Sequence, residues 1–386
     1  MDRVKIALVG SGFAAALHME AYRQVYGIEP WVAAVASPSE RAGEFAREYG
    51  IPSVYHCMER MIEEERPDIV DICSPPSLHA SMIEAAMKAG CHVICEKPLT
   101  GWFGDSDEPD MAGRVLEQLK HLRGVVEQSG RKFFYAENFI YAPAVQKSAS
   151  LIRAAGEHIL FMRGEESHSG SHAAHAALWS MNGGGSLIRQ GCHPLSALLY
   201  LKQLEHKNGA GAVSVMADMG YIVPTLNEEE LTYIQARPKD VEDLANVILT
   251  FEDGTKALIT AGDMILGGVR NEVQVYTTGG VYQCRIAPSD QMTTYHVDDE
   301  KLSGQYFTEK VETKKGWQSI FLCEDMARGY VGELRDFLLC AAGRKEEPES
   351  GFSLAYDTVR IIYGAYRSAR EGRRIELKKH GPEGTD

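Results

Sequence analysis

A glycine turn between an apolar strand and a helix constrains the fold of this chain more than any other feature. Val4–Val9 is an apolar run broken only by Lys5, and it leads into Gly10-Ser11-Gly12-Phe13-Ala14-Ala15. Ala14–Tyr22 follows with helical periodicity. This order is typical of a dinucleotide-binding fold, because the glycines allow a tight turn and a close approach to a pyrophosphate at the helix amino end. The predicted cofactor contacts of this turn are Gly10, Gly12, Phe13 and Ala14.

The end of the second predicted strand, Trp31–Ala36, bears on which dinucleotide binds. An acidic residue there would hold the adenosine ribose of NAD. This chain has Ser37 instead, with Arg41 a helical turn further on. Serine and arginine together suit the 2′-phosphate of NADP, although Arg41 is equally compatible with a solvated helix position. We therefore predict NAD or NADP and favour NADP, with Ser37 and Arg41 as contacts.

The next buried strand, Asp68–Cys73, is stopped by two prolines. Ser74, Pro75 and His79 follow it and are predicted to lie on the nicotinamide side of the cofactor. A helix is predicted over Ser81–Ala89, so His79 fits the start of that helix better than a catalytic role.

Cys91–Cys95 is a short apolar run flanked by Gly90 and Pro98, and it predicts a buried strand of a parallel sheet. Such strands point their carboxyl ends at the ligand crevice. Glu96 and Lys97 therefore lie where cofactor and substrate would meet. Lys97 can serve there as a hydrogen-bond donor or proton-transfer partner. The alternative is a surface ion pair at a strand end.

The stretch 100–110 is rich in glycine and acidic residues and has no periodicity, so it predicts a surface loop, with Trp102 and Phe103 as elements of a lid over the substrate. A helix over Ala112–Gln128 and a sixth strand over Lys132–Ala136 complete a doubly wound half. The predicted domains are residues 1–137, binding the dinucleotide, and residues 138–386, binding substrate and mediating oligomerisation.

Polar residues at the start of the second half are candidates for substrate contacts. Asn138 and Tyr141 follow the last strand of the first half. A denser polar group comes next and comprises Glu165, Glu166, His168, His172 and His175.

This group allows two interpretations. A divalent ion bound by His168 or His172 with His193 is one. If a strand runs through this stretch, however, alternate residues face opposite sides and cannot all converge. We therefore favour no metal, with His168 and His172 lining the substrate pocket.

A triple glycine at 183–185 precedes Arg189 and His193, which share a face if the segment is helical. A histidine is the natural base for a hydroxyl proton. A buried structural histidine is the alternative. The glycines, which allow close approach, favour function for His193.

The chain from residue 245 onward predicts a broad, largely antiparallel open sheet. The predicted strands are Val247–Phe251, Lys256–Ala261, Glu272–Thr277 and Gly280–Arg285. One sheet face is expected to pack on helices and the other on a second subunit. Ser350–Glu371 predicts a closing amphipathic helix that packs back on the amino-terminal half.

Composition limits the partners and the compartment. A net charge of -14 over 386 residues argues against nucleic acid or an anionic membrane as the main partner. No apolar run reaches membrane-spanning length, and Met1-Asp2 leads directly into a strand, so we expect a cytoplasmic protein without a signal peptide. The eight cysteines lack metal-binding spacing and are expected to be free thiols.

Taken together, these features resemble the Gfo/Idh/MocA family of sugar and cyclitol oxidoreductases over most of the chain. The resemblance rests on the Gly10/Gly12 turn, on Cys95-Glu96-Lys97-Pro98-Leu99, on Gly191-Cys192-His193 and on the segment from Glu347-Pro348 to Gly372-Arg373-Arg374. It implies a Rossmann half, an open-sheet α/β half, tightly held NAD(P), and homodimers or homotetramers formed through the sheet.

One departure bears on the substrate. The family commonly has an aspartate four residues before the catalytic histidine, whereas this chain has Arg189. Arginine suits a carboxylate or phosphate, so an aldonate-type substrate is one hypothesis. Pairing of Arg189 with Glu165 or Glu166 is the alternative.

The leading prediction is an NAD(P)-dependent oxidoreductase acting on a sugar, cyclitol or sugar acid, with Lys97 and His193 as catalytic residues. One alternative is a redox-neutral isomerase, glycosidase or lyase that oxidises its substrate transiently. The other is a non-catalytic nucleotide-sensing regulator.

Overall fold

The computed structural model describes residues 2–171, 173–205, 211–287, 292–300, 304–321 and 323–377. The first half alternates strands and helices, as its sequence pattern predicts. Its elements are β1 (Arg3–Val9), α1 (Phe13–Tyr22), β2 (Glu29–Ala36), α2 (Ala42–Tyr49), β3 (Ser53–Tyr55), α3 (Met58–Glu65), β4 (Ile69–Ile72), α4 (His79–Lys88), β5 (His92–Glu96), α5 (Met111–Ser129) and β6 (Phe133–Ala136).

These six strands form one parallel sheet in the order β3-β2-β1-β4-β5-β6. This is a doubly wound Rossmann sheet, and the predicted fold class of the first half is confirmed. All residues of β4 are buried, because helices cover both sheet faces. β3 was not predicted from the sequence, because its three residues are too few to show a pattern.

The second half begins with helices, continues mainly as strands and returns to helices near its end. Its elements are α6 (Asn138–Tyr141), α7 (Pro143–Ala155), β7 (Ile159–Ser167), α8 (Trp179–Asn182), α9 (Cys192–Gln203), β8 (Ala212–Gly220), β9 (Leu244–Phe251), β10 (Lys256–Gly262), β11 (Arg270–Thr277), β12 (Val281–Ala287), β13 (Met292–His296), β14 (Gly316–Ile320), α10 (Glu324–Ala327), α11 (Tyr330–Ala341), α12 (Phe352–Glu371) and β15 (Ile375–Glu376).

Seven of these strands form a second sheet in the order β12-β11-β7-β10-β9-β8-β15. Only the β7–β10 pair is parallel among the pairs described, so the sheet is mostly antiparallel, as predicted. Its inner face packs on α9, which is buried from Cys192 to Lys202. Gly164 permits the close contact, since a Cβ there would lie 2.7 Å from Pro194 Cβ.

Two carboxy-terminal helices join the halves. α11 packs on α1 and α6, and Phe337 stacks on Phe134 of β6 at 5.1 Å. α12 contacts α5 and β6 on one side and α9 and β8 on the other. The two sheets are therefore held together by shared helices. In the part of the chain that is described, no helix is long and apolar enough to cross a membrane.

Candidate active site

The carboxyl edge of the parallel sheet places a lysine and a glutamate side by side. β5 and β6 are adjacent, and Glu96 is in register with Ala136. The residues that follow, Lys97 and Glu137, therefore leave neighbouring strands at the same edge. This is the edge at which doubly wound sheets bind their ligands.

His193, in the first turn of α9, completes this arrangement from the second half. Its Nδ1 lies 2.6 Å from Glu137 Oε1, and both side chains are buried. The imidazole stacks on Phe139 with 4.8 Å between ring centroids. Glu137 thus fixes the ring orientation and selects the tautomer whose Nε2 can accept a proton from another molecule.

Lys97 bridges the two halves. Its Nζ donates a hydrogen bond of 2.8 Å to the backbone carbonyl oxygen of Arg189. Burial alone would lower the pKa of Lys97, but neighbouring negative groups, including Glu96, Glu166 and Glu137, raise it above its usual value. Lys97 is therefore a protonated donor in the cleft.

The Arg189 carbonyl group, which accepts the hydrogen bond from Lys97, belongs to a π-helical turn, Leu187–Gly191. Such turns are often found at functional sites. Glu242 anchors its start, because the backbone N–H groups of Gly185 and Leu187 each donate to its carboxylate at 2.9 Å. Gly185 has to lack a side chain, since a Cβ would lie 1.9 Å from the Glu242 carbonyl oxygen.

Arg189 pairs with Asp263, the residue after β10. The alternative in which it pairs with Glu165 or Glu166 is therefore wrong. Successive residues of β7 face opposite sides: Glu165 contacts Arg270 at 3.6 Å on the outer side, whereas Glu166 is buried. Asp263, which follows a different strand, supplies the carboxylate that neutralises the positive charge of Arg189.

Several buried polar atoms around this cleft have no hydrogen-bond partner: the acceptors Glu137 Oε2, Glu166 Oε2 and Gln190 Oε1, and the donor Arg189 Nε. Buried polar atoms of folded proteins are ordinarily bonded, so these atoms are candidate contacts for a polar ligand or for water. Burial raises the pKa of Glu166, against the opposing effect of His193 and Lys97.

His168 lines the same wall and contacts its neighbours through both ring nitrogens. Its Nδ1 accepts a hydrogen bond from the Gly170 N–H at 2.9 Å, and its Nε2 lies 2.9 Å from Gln190 Nε2. Burial, together with Lys310 and other nearby cations, lowers the pKa of His168 to about 3, so the ring is neutral. His172 lies outside the described residues.

The metal interpretation finds no ligand set that includes His168 among the residues described. The ligand-type side chains that do come together in the cleft are Glu137, Cys192 and His193. His193 already uses Nδ1 to contact Glu137, and burial raises the pKa of the Cys192 thiol well above its usual value.

Asn138 and Tyr141 are not directed into the cleft. The Asn138 side-chain amide donates to the Arg328 carbonyl oxygen at 2.9 Å. The Tyr141 hydroxyl donates to Asp336 at 2.9 Å and accepts from the Ser350 N–H at 3.0 Å. Both residues hold carboxy-terminal segments against α6, so their predicted role as substrate contacts does not fit their positions.

The glycine turn fits a dinucleotide. Gly10 has φ +107°, and a Cβ there would lie 2.5 Å from the Cys73 carbonyl oxygen. A Cβ at Gly12 would meet nothing within 4 Å, so the backbone is open to a ligand. No side chain caps α1, whose first residue, Phe13, is exposed and precedes Ala14. The free N–H groups of this helix end suit a pyrophosphate.

The end of β2 is polar and carries no acidic side chain at Ser37. The Ser37 hydroxyl accepts hydrogen bonds from the Ser11 hydroxyl at 3.1 Å and from the Ser39 N–H at 3.2 Å. Arg41 is exposed at the start of α2. Ser37 is buried at the strand end, Ser11 is half-buried, and Ser39 and Arg41 are exposed beyond them, where doubly wound folds bind an adenosine ribose.

The loops after β4 and β5 are joined by His79, the first residue of α4. Its ring nitrogens contact the Ser74 carbonyl oxygen at 2.9 Å and the Pro98 carbonyl oxygen at 2.8 Å. His79 starts the helix, as predicted, and its pKa is lowered by burial. Ser74 keeps a buried hydroxyl without a partner, and Pro75 is exposed.

Trp102 lies on the predicted lid loop, which packs on the second half. Its N–H donates to the Tyr363 hydroxyl, and its carbonyl oxygen accepts from Trp179 Nε1 at 2.9 Å. Its indole nitrogen donates to the Asp105 carbonyl oxygen at 2.8 Å. The backbone of Trp102 is thus held against α8 and α12.

Three acidic residues of the site were not predicted from the sequence as site residues: Glu137, Glu242 and Asp263. Glu137 could have been predicted as a site residue, because it directly follows a buried strand, as Lys97 does. Asp263 follows β10 in the same way, but its partner Arg189 is 74 residues distant.

The fold and this cleft together define an NAD-binding oxidoreductase. Residues 4–126 match the family model for oxidoreductases with an NAD-binding Rossmann fold, and residues 158–283 match the GFO/IDH/MocA carboxy-terminal domain. The two matches together span well over half of the chain. The chain belongs to the Gfo/Idh/MocA family, which includes NAD-dependent dehydrogenases acting on CH–OH groups of sugars and cyclitols.

Individual relatives agree with this assignment. D-apiose dehydrogenase of Paraburkholderia graminis is 24% identical, over 98% of this chain and 91% of the relative. GenD2 from gentamicin A biosynthesis, solved with NAD, aligns at TM-score 0.80 with 22% identity over 98% of this chain and 97% of that chain. Scyllo-inositol dehydrogenase of Lactobacillus casei, solved with NAD(H) and scyllo-inositol, aligns at TM-score 0.73 with 18% identity over 97% and 99%.

Proposed function

We propose that this protein oxidises one CH–OH group of an uncharged sugar or cyclitol, and reduces the corresponding ketone in reverse, with NAD(P) as cofactor. The observation that carries the proposal is the joining of Lys97 and the His193–Glu137 pair in one cleft at the carboxyl edge of the parallel sheet.

His193 acts as the general base. Glu137 holds Nδ1, so Nε2 takes the hydroxyl proton as the carbon is oxidised, and the carboxylate stabilises the imidazolium that forms. NAD(P)+ held at the Gly10–Gly12 turn would supply the hydride acceptor for the carbinol carbon.

Lys97 stabilises the charge that develops on the substrate oxygen. It is a donor rather than a base, because the surrounding carboxylates raise its pKa. An ammonium held in a partly water-free cleft lowers the energy of a developing alkoxide more than it would in bulk water.

An uncharged substrate suits the cleft better than an aldonate. The aldonate hypothesis required Arg189 to bind a carboxylate, but Asp263 already pairs with it. The unpartnered Glu137 Oε2, Glu166 Oε2 and Gln190 Oε1 are acceptors, which fit hydroxyl donors and repel an added carboxylate.

NADP is the cofactor that we favour. Its 2′-phosphate would be held by Arg41 and by the hydroxyls of Ser37 and Ser39, and no acidic side chain opposes it at Ser37. NAD would forgo the Arg41 contact but use the same glycine turn.

The open sheet is the surface that we propose for self-association into a homodimer or homotetramer. Apolar side chains point outward from three of its strands: Leu160, Met216 and Ile248 are 53%, 44% and 40% exposed. Sedimentation of Ile248→Lys beside the parent tests this surface, and an unchanged oligomer in that variant would contradict it.

The function is tested with a panel of neutral sugars and cyclitols beside their matched aldonates, each with NAD+ and with NADP+. Nicotinamide absorbance and product mass are recorded together. Reduced cofactor with a neutral substrate supports the proposal. Preference for the aldonate would restore Arg189 as a carboxylate anchor, and product without reduced cofactor would indicate redox-neutral chemistry.

A further inference from the structure

Beneath Lys97 lies a chain of buried ionisable groups that the proposed reaction does not use. It begins at Asp71, in the middle of β4, where the side chain has no exposed surface. Asp71 lies between β1 and β5, in register with Leu8 and Ile94. A carboxylate at such a position is costly unless it is paired and hydrogen-bonded.

The partners of Asp71 come mainly from α1, the helix whose amino end faces the cofactor turn. His18 Nδ1 lies 2.9 and 3.1 Å from the two carboxylate oxygens, and the Tyr22 hydroxyl donates at 2.9 Å. The Cys73 thiol lies 3.7 Å from the same carboxylate. His18 and Tyr22 are one helical turn apart and share a face.

The second nitrogen of His18 points to the lysine motif. His18 Nε2 lies 3.3 Å from Glu96 Oε1, an ion-pair distance without hydrogen-bond geometry, and Glu96 Oε2 accepts the Lys97 backbone N–H at 2.9 Å. Two carboxylates beside one imidazole favour its doubly protonated, charged form. Burial opposes the charge on His18, but Asp71 raises its pKa well above the usual value.

The same contact acts on Glu96. Burial alone would raise the pKa of Glu96, but His18 lowers it overall, so the carboxylate is retained. Its charge is in turn one of those that raise the pKa of Lys97.

We propose that His18 and Asp71 are positioning residues that hold Glu96 as a carboxylate against the Lys97 peptide, and so tie the cofactor-binding helix to the catalytic lysine. The proposal rests on the function proposed above. In this proposal His18 stays protonated over the pH range of activity and exchanges no proton with the substrate.

Other ionisable groups face this chain from α11. Glu333 is fully buried with no partner for either oxygen, and burial raises its pKa well above the usual value, so it is a neutral acid. Tyr330 is half-buried near Glu96, and desolvation raises its pKa. With Glu333 neutral, the imidazolium of His18 is the cation that offsets Asp71 and Glu96.

The test compares His18→Gln and Asp71→Asn with Tyr22→Phe. The last variant removes only the hydrogen bond that the uncharged Tyr22 hydroxyl donates to Asp71. In the first two variants the pKa of Glu96 rises and that of Lys97 falls. The acid limb of the kcat profile therefore moves up in pH and the alkaline limb moves down. We expect kcat to fall about tenfold or more, with cofactor Kd nearly unchanged. Tyr22→Phe should lose stability but keep both limbs.

Retained kcat and unmoved limbs in His18→Gln and Asp71→Asn would reduce the chain to a structural role and overturn the proposal. A second readout needs no substrate. With 15N-labelled histidine, we expect the imidazole signal that His18→Gln removes to keep both N–H protons at about pH 8, where an unperturbed histidine is neutral. A neutral His18 imidazole at that pH would overturn the proposal without bearing on the dehydrogenase function.

Discussion

Two buried histidine–carboxylate pairs lie on opposite sides of Lys97, and they differ in what the second ring nitrogen meets. His18 contacts Asp71 through one nitrogen and Glu96 through the other, with no exposed surface. His193 contacts Glu137 through Nδ1 only. A histidine between two carboxylates is kept in its protonated form. A histidine with one ring nitrogen free in a cleft can exchange a proton with a ligand.

The largest loss of activity is expected when either of the two side chains that act on the substrate oxygen is removed. His193→Asn and Lys97→Met should each lower kcat by about 10³–10⁴-fold, because a proton acceptor or an electrophilic donor is lost. Cofactor titration by fluorescence should give a nearly unchanged Kd. A variant that turns over as fast as the parent would remove that residue from the mechanism.

Glu137→Gln tests the partner of His193 alone. The amide keeps the size of the side chain but loses the charge that orients the ring and stabilises its protonated form. We expect kcat to fall roughly 100-fold with little change in KM. A loss confined to KM would place Glu137 in substrate binding instead.

Glu166→Gln sharpens the assignment of the substrate. The amide retains one acceptor but loses the negative charge, so KM for neutral substrates should rise about tenfold. The relative kcat/KM for matched aldonates should increase. Glu165→Gln, on the outer side of the same strand, is the matched control and should leave both substrates unaffected.

Arg41→Ala tests the proposed contact between Arg41 and the 2′-phosphate of NADP. Loss of one charge-assisted contact to a 2′-phosphate should lower the kcat/KM ratio of NADP over NAD about tenfold. Arg47, exposed near the end of α2, provides a control substitution that should leave the ratio unchanged. An unchanged ratio in Arg41→Ala would assign Arg41 to a solvated helix position.

The smallest expected effect concerns stability and pH. The pKa of His18 is raised in the folded state, so its stabilising contribution is complete below the unfolded value of about 6.5 and is lost as pH rises through the folded value. The parent should therefore lose a few degrees of Tm over that alkaline window. His18→Gln should lack this part of the slope, and equal slopes would show that His18 is neutral when folded.

The two regions also differ in how far the sequence could predict them. The first half builds its site from strand ends, so Gly10, Ser37 and Lys97 could be located from local patterns. Each follows a short apolar run, and parallel strands bring their ends to one edge.

The second half assembles contacts between residues far apart in the chain. Arg189 meets Asp263, and Glu242 anchors the turn that begins near Gly185. Neither pairing leaves a periodic signal, because each depends on how sheet and helices pack. Asn138 and Tyr141 were selected by their place after a strand, but their polar groups bind carboxy-terminal segments instead.

The most direct test of the account is the stoichiometry of cofactor reduction in the parent and in His193→Asn, with the neutral substrate that the panel identifies. We predict equimolar reduced nicotinamide and oxidised product in the parent, and loss of both in the variant with cofactor binding intact. Product without reduced nicotinamide, or full turnover in His193→Asn, would contradict the assignment of this cleft as a CH–OH dehydrogenase site.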